Sequence, residues 1–305
     1  MRIEERPEVV TLEEVPSEGT EAGRGTAPVR KGSTRRLVAF ICLAVAASIA
    51  AFLVFEFGLS AVVTARSQRL LLSEFRGLAN QGPASTLEWQ PALGQPIGIL
   101  TIPRLGVSAV VVEGTSSSDT AMGPGHFAGS PLPGRAGNSV IAARRSTFGA
   151  PFAHLQELQK GDTIQVATGV GTFTYTVTGF ETIAPNDLDA LNATRDNRLT
   201  LMTSNPKYRA SGRLVVTAAL QGLPASAPNR PIQVLPNDQV GLTGEPWALA
   251  PLILWIELMV GVVIGALWLR RRRLHRVAWL YATPLVIALM WASFLAINRL
   301  LPATL

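Results

Sequence analysis

A single cysteine, Cys42, is all that the 305 residues contain, which excludes any intramolecular disulfide. It lies in an apolar run, where a lone thiol reads as a small apolar filler. Histidine is nearly as scarce: His126, His154 and His275 are the only three, and no Cys/His cluster with zinc spacing exists. An EF-hand loop and a glycine-rich phosphate loop are also missing. No metal or cofactor is therefore expected. Residues 64–246 have little charge excess of either sign, with 14 basic and 12 acidic side chains. Most of the net charge of +6 comes instead from Arg270 to Arg273 and Arg276. So local a cluster reads as a membrane-topology signal rather than a nucleic-acid footprint, and no nucleic-acid partner is expected.

What is present in quantity is uncharged apolar sequence. Leu37 to Phe55 is 19 residues without a charge, long enough to cross a hydrocarbon core of about 30 Å. Trp247–Leu269 and residues 277–298 are two further candidate spans. Arg30, Lys31, Arg35 and Arg36 precede the first, and the arginine cluster at 270–276 separates the last two. Because Lys and Arg accumulate on the cytoplasmic side, both clusters are expected inside. The expected product is a multi-pass protein of the cell membrane, with a cytoplasmic N-terminus, residues ~64–246 outside and an outward C-terminus. An acidic tail ahead of the first run argues for a signal anchor rather than a cleaved peptide. Glu257 lies within the second span, where an ionisable group is a functional candidate by default or a structurally paired one.

The remaining segments divide by composition. Residues 1–36 are poor in aromatics and rich in Glu, Gly, Thr and Pro, a composition expected to stay disordered. Residues 37–63 are assigned to the anchor and 64–95 to a stalk and linker, with Leu70, Leu71, Phe75 and Leu78 at helical spacing. Residues 222–246 are a Pro/Gly/Asn linker, and 270–276 a basic cytoplasmic loop. Between the linkers, residues 96–221 read as β-structure. Val110–Val112, Ser139–Ala142, Thr163–Ala167, Phe173–Val177, Leu199–Thr203 and Leu214–Ala218 are short β-favouring runs separated by turn residues, which suggests an all-β barrel or sandwich. A short helix is expected to start near Pro151.

One stretch carries chemistry. Thr200-Leu201-Met202-Thr203-Ser204 is followed nine residues later by Arg213. Upstream stand Ile97-Gly98-Ile99-Leu100-Thr101-Ile102-Pro103, Gly123-Pro124-Gly125-His126-Phe127, Leu132-Pro133-Gly134, Gly137-Asn138-Ser139-Val140-Ile141-Ala142 and Leu158-Gln159-Lys160-Gly161-Asp162. In this order the segments resemble the sortases, cysteine transpeptidases of Gram-positive surfaces. The resemblance spans roughly Pro96 to Gln221 and implies an eight-stranded sortase-type β-barrel. Sortases have Thr-Leu-x-Thr-Cys where this chain ends in Ser204. They have Ala-Gly-His-Arg where this chain reads Ala142-Ala143-Arg144-Arg145. The resemblance therefore puts Ser204, Arg144 and Arg213 at the catalytic Cys, His and Arg positions, with Thr203, Leu201 and His126 as binding candidates.

A sortase attacks the Thr–Gly bond of a Leu-Pro-x-Thr-Gly signal through a thiolate. Thiols suit the task because their pKa is about 8.5, whereas a serine hydroxyl needs an adjacent base. Arginine cannot be that base, since it stays protonated. The leading expectation is thus a catalytically inactive sortase-like module, binding a sorting-signal-like peptide or a cell-surface partner. A divergent active sortase using Ser204 remains open, with His126 as a substitute base, as does a structural membrane subunit. Arg144 and Arg213 together are expected to make the groove cationic. The bilayer, and a membrane partner for the last two spans, complete the expected contacts. Composition fits a high-GC Gram-positive (actinobacterial) source. The ending Leu301-Pro302-Ala303-Thr304-Leu305 resembles the start of a sorting signal. It follows the last span and carries Leu305 where the signal has glycine, so it reads as coincidence.

Overall fold

The computed structural model describes residues 31–80, 90–185, 187, 189–209, 211–225, 239, 244–271 and 275–304. By its internal contacts the chain divides into residues 1–47 and 48–305. Helix α1 (Lys31–Val54) passes through one turn of π-helix, Phe55–Leu59, into α2 (Ser60–Ala79). Helix thus begins at Lys31, inside the segment assigned to a disordered tail; the tail's first thirty residues lie outside the described ones. The expected stalk is α2. Its seam Thr64, Leu71 and Phe75 is buried, and Leu71 packs on Val110 and Val112. Gln68 clips it in place, accepting from Val110 N–H at 2.7 Å and donating to the carbonyls of Val110 (3.0 Å) and Met122 (2.9 Å).

Eight strands close into a barrel. They are β1 (Pro96–Ile102), β2 (Val107–Glu113), β3 (Gly125–His126), β4 (Asn138–Ala142), β5 (Thr163–Thr168), β6 (Gly171–Ile183), β7 (Arg198–Asn205) and β8 (Gly212–Leu220). Their order around the barrel is β1-β2-β3-β4-β7-β8-β6-β5. Only β2–β3 and β4–β7 run parallel. The interior follows from two-residue alternation. Leu100, Ile102, Val111, Ile141, Ile164, Val166, Tyr175, Val177, Leu199, Leu201 and Val216 meet in one core, each fully buried aliphatic contributing about 1.5–3 kcal/mol. Gly134, at φ 88°, lets the chain pass against the ring of Phe173 and donate to the Tyr175 hydroxyl at 2.7 Å.

Two elements differ from expectation. Near Pro151 the chain makes turns, and the helical piece is one 3-10 turn at Leu155–Glu157. A helix that was not expected, α3 (Ser117–Met122), follows β2. Ser116 and Asp119 close a reciprocal capping box at its start, satisfying two otherwise orphaned N–H groups.

Helices α4 (Leu249–Arg271) and α5 (His275–Leu300) pack side by side. Segments Cys42–Ala79, Pro246–Leu269 and Leu280–Leu300 are long and apolar enough to cross a membrane. Glu257 is exposed on α4. The basic loop is shorter than assigned: Arg270 and Arg271 finish α4, His275 and Arg276 begin α5, and 272–274 lie outside the described residues. Most of the 222–246 linker lies outside them as well.

Candidate functional site

Strands β4, β7 and β8 are adjacent, and their registers line up one outward face. Ala142 pairs with Met202, Met202 with Val215, and Ser204 with Arg213. Alternation puts Met202 and Ser204 on the same face of β7. Beyond β4 the pairing continues for one more bond, Ala143 N–H to Met202 carbonyl at 3.1 Å. Ser204 and Arg213 are thereby brought together, and Arg144 begins from the neighbouring strand end.

The side chains then diverge. Ser204 is fully buried, and its hydroxyl has no hydrogen-bond partner among the described residues. Arg213 is buried too. Desolvation lowers its pKa, opposed by the negative charge of Asp187. Arg144 is 0 % exposed, and its hydrogen bonds go to groups other than Ser204. Its Nη1 donates to Thr147 Oγ1 at 3.1 Å. Its Nη2 reaches the Ser117 carbonyl (2.9 Å), Ser117 Oγ (2.8 Å) and Asn298 Oδ1 (2.9 Å). The guanidinium also stacks 4.7 Å from the centre of the Phe148 ring. Burial lowers its pKa to about 10, the carboxylates of Glu56 and Glu245 acting in the opposite direction. The cationic groove expected from Arg144 and Arg213 does not form, because Arg144 spends its charge inside the protein.

Asn298, Glu56 and Glu245 bring the three apolar segments to this cluster. Asn298 sits near the end of α5 and donates to Glu56 of the π-turn. Glu245, just before α4, accepts from Ser118 N–H at 2.8 Å, while its own N–H donates to the Arg299 carbonyl at 2.6 Å. Phe148 holds a left-handed backbone at φ 52°, rare for a bulky residue. Surrounding contacts fix it there: its N–H donates to Ser60 Oγ at 3.0 Å and its ring meets Phe55 edge-on.

Three binding candidates prove to be interior. Leu201 belongs to the barrel core. Thr203 is fully buried and donates to the Ala143 carbonyl at 2.8 Å. His126 is fully buried, with Nδ1 at 2.8 Å from Glu113 and Nε2 at 3.0 Å from both Ser130 Oγ and the Pro131 carbonyl. Both ring nitrogens are occupied by a network other than Ser204, so in this arrangement His126 is not its base. The residue that does touch Ser204 is one the sequence reading passed over. Arg145 donates from Nη1 to the Ser204 carbonyl at 2.7 Å and to Asn205 Oδ1 at 2.9 Å, and from Nη2 to Gln156 at 2.9 Å. Its place beside the expected histidine position was the available signal. Among the described residues no group of three or more His, Cys, Asp and Glu side chains is arranged to hold a metal.

Residues 100–221 match the family model described as the sortase domain. Over these residues the barrel is sortase-like. Sortase D of Bacillus subtilis is 29% identical over 116 residues, covering 38% of this chain and 57% of that protein. Sortase SrtE1 of Streptomyces coelicolor is 30% identical over 140 residues, covering 40% of each. Solved sortase E from Streptomyces avermitilis is 32% identical, with a TM-score of 0.40, covering 43% of this chain and 91% of that one. The chain spans about half the length of the curated relatives it matches. The sortase-like barrel therefore accounts for one portion of the chain, with the candidate membrane helices outside the match.

The outward face of β4, β7 and β8 is not open. Ala142, Met202 and Val215 pack against Ala303, from the segment after α5, with Ile183, Ala190 and Leu191 around them. Ala303 is 0 % and Thr304 2 % exposed. A separate cavity of about 420 Å³ lies between α2 and β2, lined in part by Thr64, Gln68, Ser108 and His154. It touches neither Ser204 nor Arg213, so the β4–β7–β8 face remains the candidate site.

Proposed function

We propose that this protein is a membrane-anchored, extracytoplasmic sortase-like module that binds sorting-signal-like peptides without transpeptidase activity. The observation that carries the reading is the fate of Arg144. The motif resemblance puts Ser204 and Arg144 at the positions of nucleophile and base. A guanidinium stays protonated in the working range of such an enzyme, and this one is bonded to Ser117, Thr147 and Asn298. Among the described residues Ser204 Oγ has no base within hydrogen-bond reach, and a serine nucleophile without one retains little of the chemistry. Of the other histidines, His154 pairs with Glu157 at the surface and His275 starts α5. The basic clusters before the first span and between the last two support a cytoplasmic N-terminus, with barrel and C-terminal segment outside.

The test uses the full chain in lipid nanodiscs, presented with Leu-Pro-x-Thr-Gly peptides with and without an amine acceptor. Peptide binding without cleavage, and without a covalent adduct at Ser204 by mass spectrometry, is the expected result. Turnover that disappears in Ser204→Ala would establish the active-enzyme alternative instead.

A further inference from the structure

The segment Leu301-Pro302-Ala303-Thr304 has the Leu-Pro-x-Thr pattern of a sorting signal, and it is seated on the face that carries Ser204. We propose that it is a self-ligand: the chain's own Leu-Pro-Ala-Thr occupies the peptide groove in cis and must leave before another peptide can bind. The proposal rests on the reading of that face as a peptide groove.

Three observations converge on it. First, contact is intimate. Ala303 has no exposed surface and touches Ala142, Met202 and Val215, one step along the strands from the Ser204–Arg213 pair. Ile183, Ala190 and Leu191 pack around the same cluster. Second, the segment takes over a hydrogen bond where the β4–β7 ladder stops. Ala143 N–H still reaches β7, but two residues on, Arg145 N–H donates to the Thr304 carbonyl at 3.2 Å. The Arg145 side chain meanwhile holds the Ser204 carbonyl at 2.7 Å. One residue thus grips the end of β7 with its guanidinium and the Leu-Pro-Ala-Thr segment with its backbone. Third, α5 is anchored so as to deliver the segment. Asn298 is tied to Arg144 and Glu56, and the Arg299 carbonyl to Glu245 N–H. Gly244 passes so close to the Leu300 carbonyl that a β-carbon there would collide with it.

A ligand tethered a few residues from its site acts at high effective concentration. If the open groove is populated about one-tenth of the time, apparent affinity for a peptide in trans falls about tenfold. The experiment has two arms, both on the full chain in nanodiscs with Cys42→Ala. In one, Ala142→Cys with Ala303→Cys is oxidised and run on a non-reducing gel with mass analysis. In the other, a fluorescent Leu-Pro-x-Thr-Gly peptide is titrated onto the otherwise unaltered chain, onto a chain lacking residues 301–305, and onto Ala303→Arg. Thermal unfolding checks that each variant folds, and the deletion covers the case in which arginine at 303 does not.

A cross-link within one chain, with peptide binding about tenfold tighter once the segment is removed or displaced, is the expected result. No cross-link, or one only between two chains, overturns the cis contact. A cross-link within one chain with equal peptide binding by all forms overturns the gating while leaving the groove reading intact. A cross-link with no peptide bound by any form overturns the groove reading itself and the gating with it.

Discussion

Arg144 Nη2 donates to Asn298 Oδ1 at 2.9 Å across 154 residues of sequence, locking the sortase-like barrel to the end of the last apolar helix. In space Arg144 is a hub that joins the barrel to Asn298 near the end of α5, with Glu56 of the π-turn and Glu245 before α4 close by. Its four hydrogen bonds and the nearby Glu56 and Glu245 make it a buried charge with most of its fork satisfied. Removing such a partner is costly because the carboxylates remain.

Arg144→Met should therefore destabilise the protein by about 3–5 kcal/mol, the range for breaking a buried ion network from one side. Denaturant or thermal unfolding of the full chain in detergent measures it. Arg144→Lys should recover only part of the loss, since one ammonium cannot reproduce a fork that reaches Ser117, Thr147 and Asn298 together.

Ser204→Ala should leave peptide binding unchanged and stabilise the fold by up to about 1 kcal/mol, because it removes a buried hydroxyl without a hydrogen-bond partner. A loss of stability would mean that the hydroxyl makes a bond in solution. Calorimetry and peptide titration on the same sample separate the two effects.

Installing cysteine at 204 and histidine at 144 together should not restore cleavage. The imidazole would have to replace the guanidinium in a site built around Ser117, Thr147 and Asn298, and Ala303 still fills the groove. Adding the deletion of residues 301–305 should raise labelling of the new thiol by a sorting-signal peptide that carries an electrophile. Mass spectrometry reads this directly.

Gln68→Ala should free α2 from β2 by removing its three bonds to backbone groups of Val110 and Met122, at a cost of about 1–3 kcal/mol. Hydrogen exchange should show the loss first at Val110, whose N–H the Gln68 carbonyl holds.

Asp119 gives a pH dependence of definite sign. Burial raises its pKa above 3.8, opposed by hydrogen bonds from Gln239 and Ser116, with Glu245 pushing further upward. Between about pH 3.8 and the raised native value, the native state holds a proton that the unfolded chain has released. The stability it contributes is fully present below about pH 3.8 and is lost as pH rises through the raised native value. Unfolding midpoints against pH should show this fall in the unaltered chain, and Asp119→Asn should remove that component.

Much of the barrel was legible. The alternation in Phe173-Thr174-Tyr175-Thr176-Val177 marks β6, although the strand runs on to Ile183, where pairing with β8 sustains it beyond the readable pattern. Helix α3 was missed despite its Ser116-x-x-Asp119 signature, because six residues of Ser, Asp and Thr show no apolar periodicity. Leu201 and Thr203 were assigned to a binding groove from motif membership alone, while strand alternation turns both toward the barrel interior.

By itself the sequence determined the apolar runs, six of the eight strands and the identity of the residues at the motif positions. Each of these is written locally, in charge-free runs, two-residue alternation and short motifs. Only the tertiary structure decided what those residues do. It bonds Arg144 to Asn298, leaves Arg145 in contact with Ser204, and seats Ala303 of the Leu-Pro-Ala-Thr segment against Ala142, Met202 and Val215. Hydrogen bonds and buried charges have no sequence range. The partners of this cluster lie from 3 to 242 residues apart, and burial, which fixes whether a charge faces water or protein, is set by the whole chain.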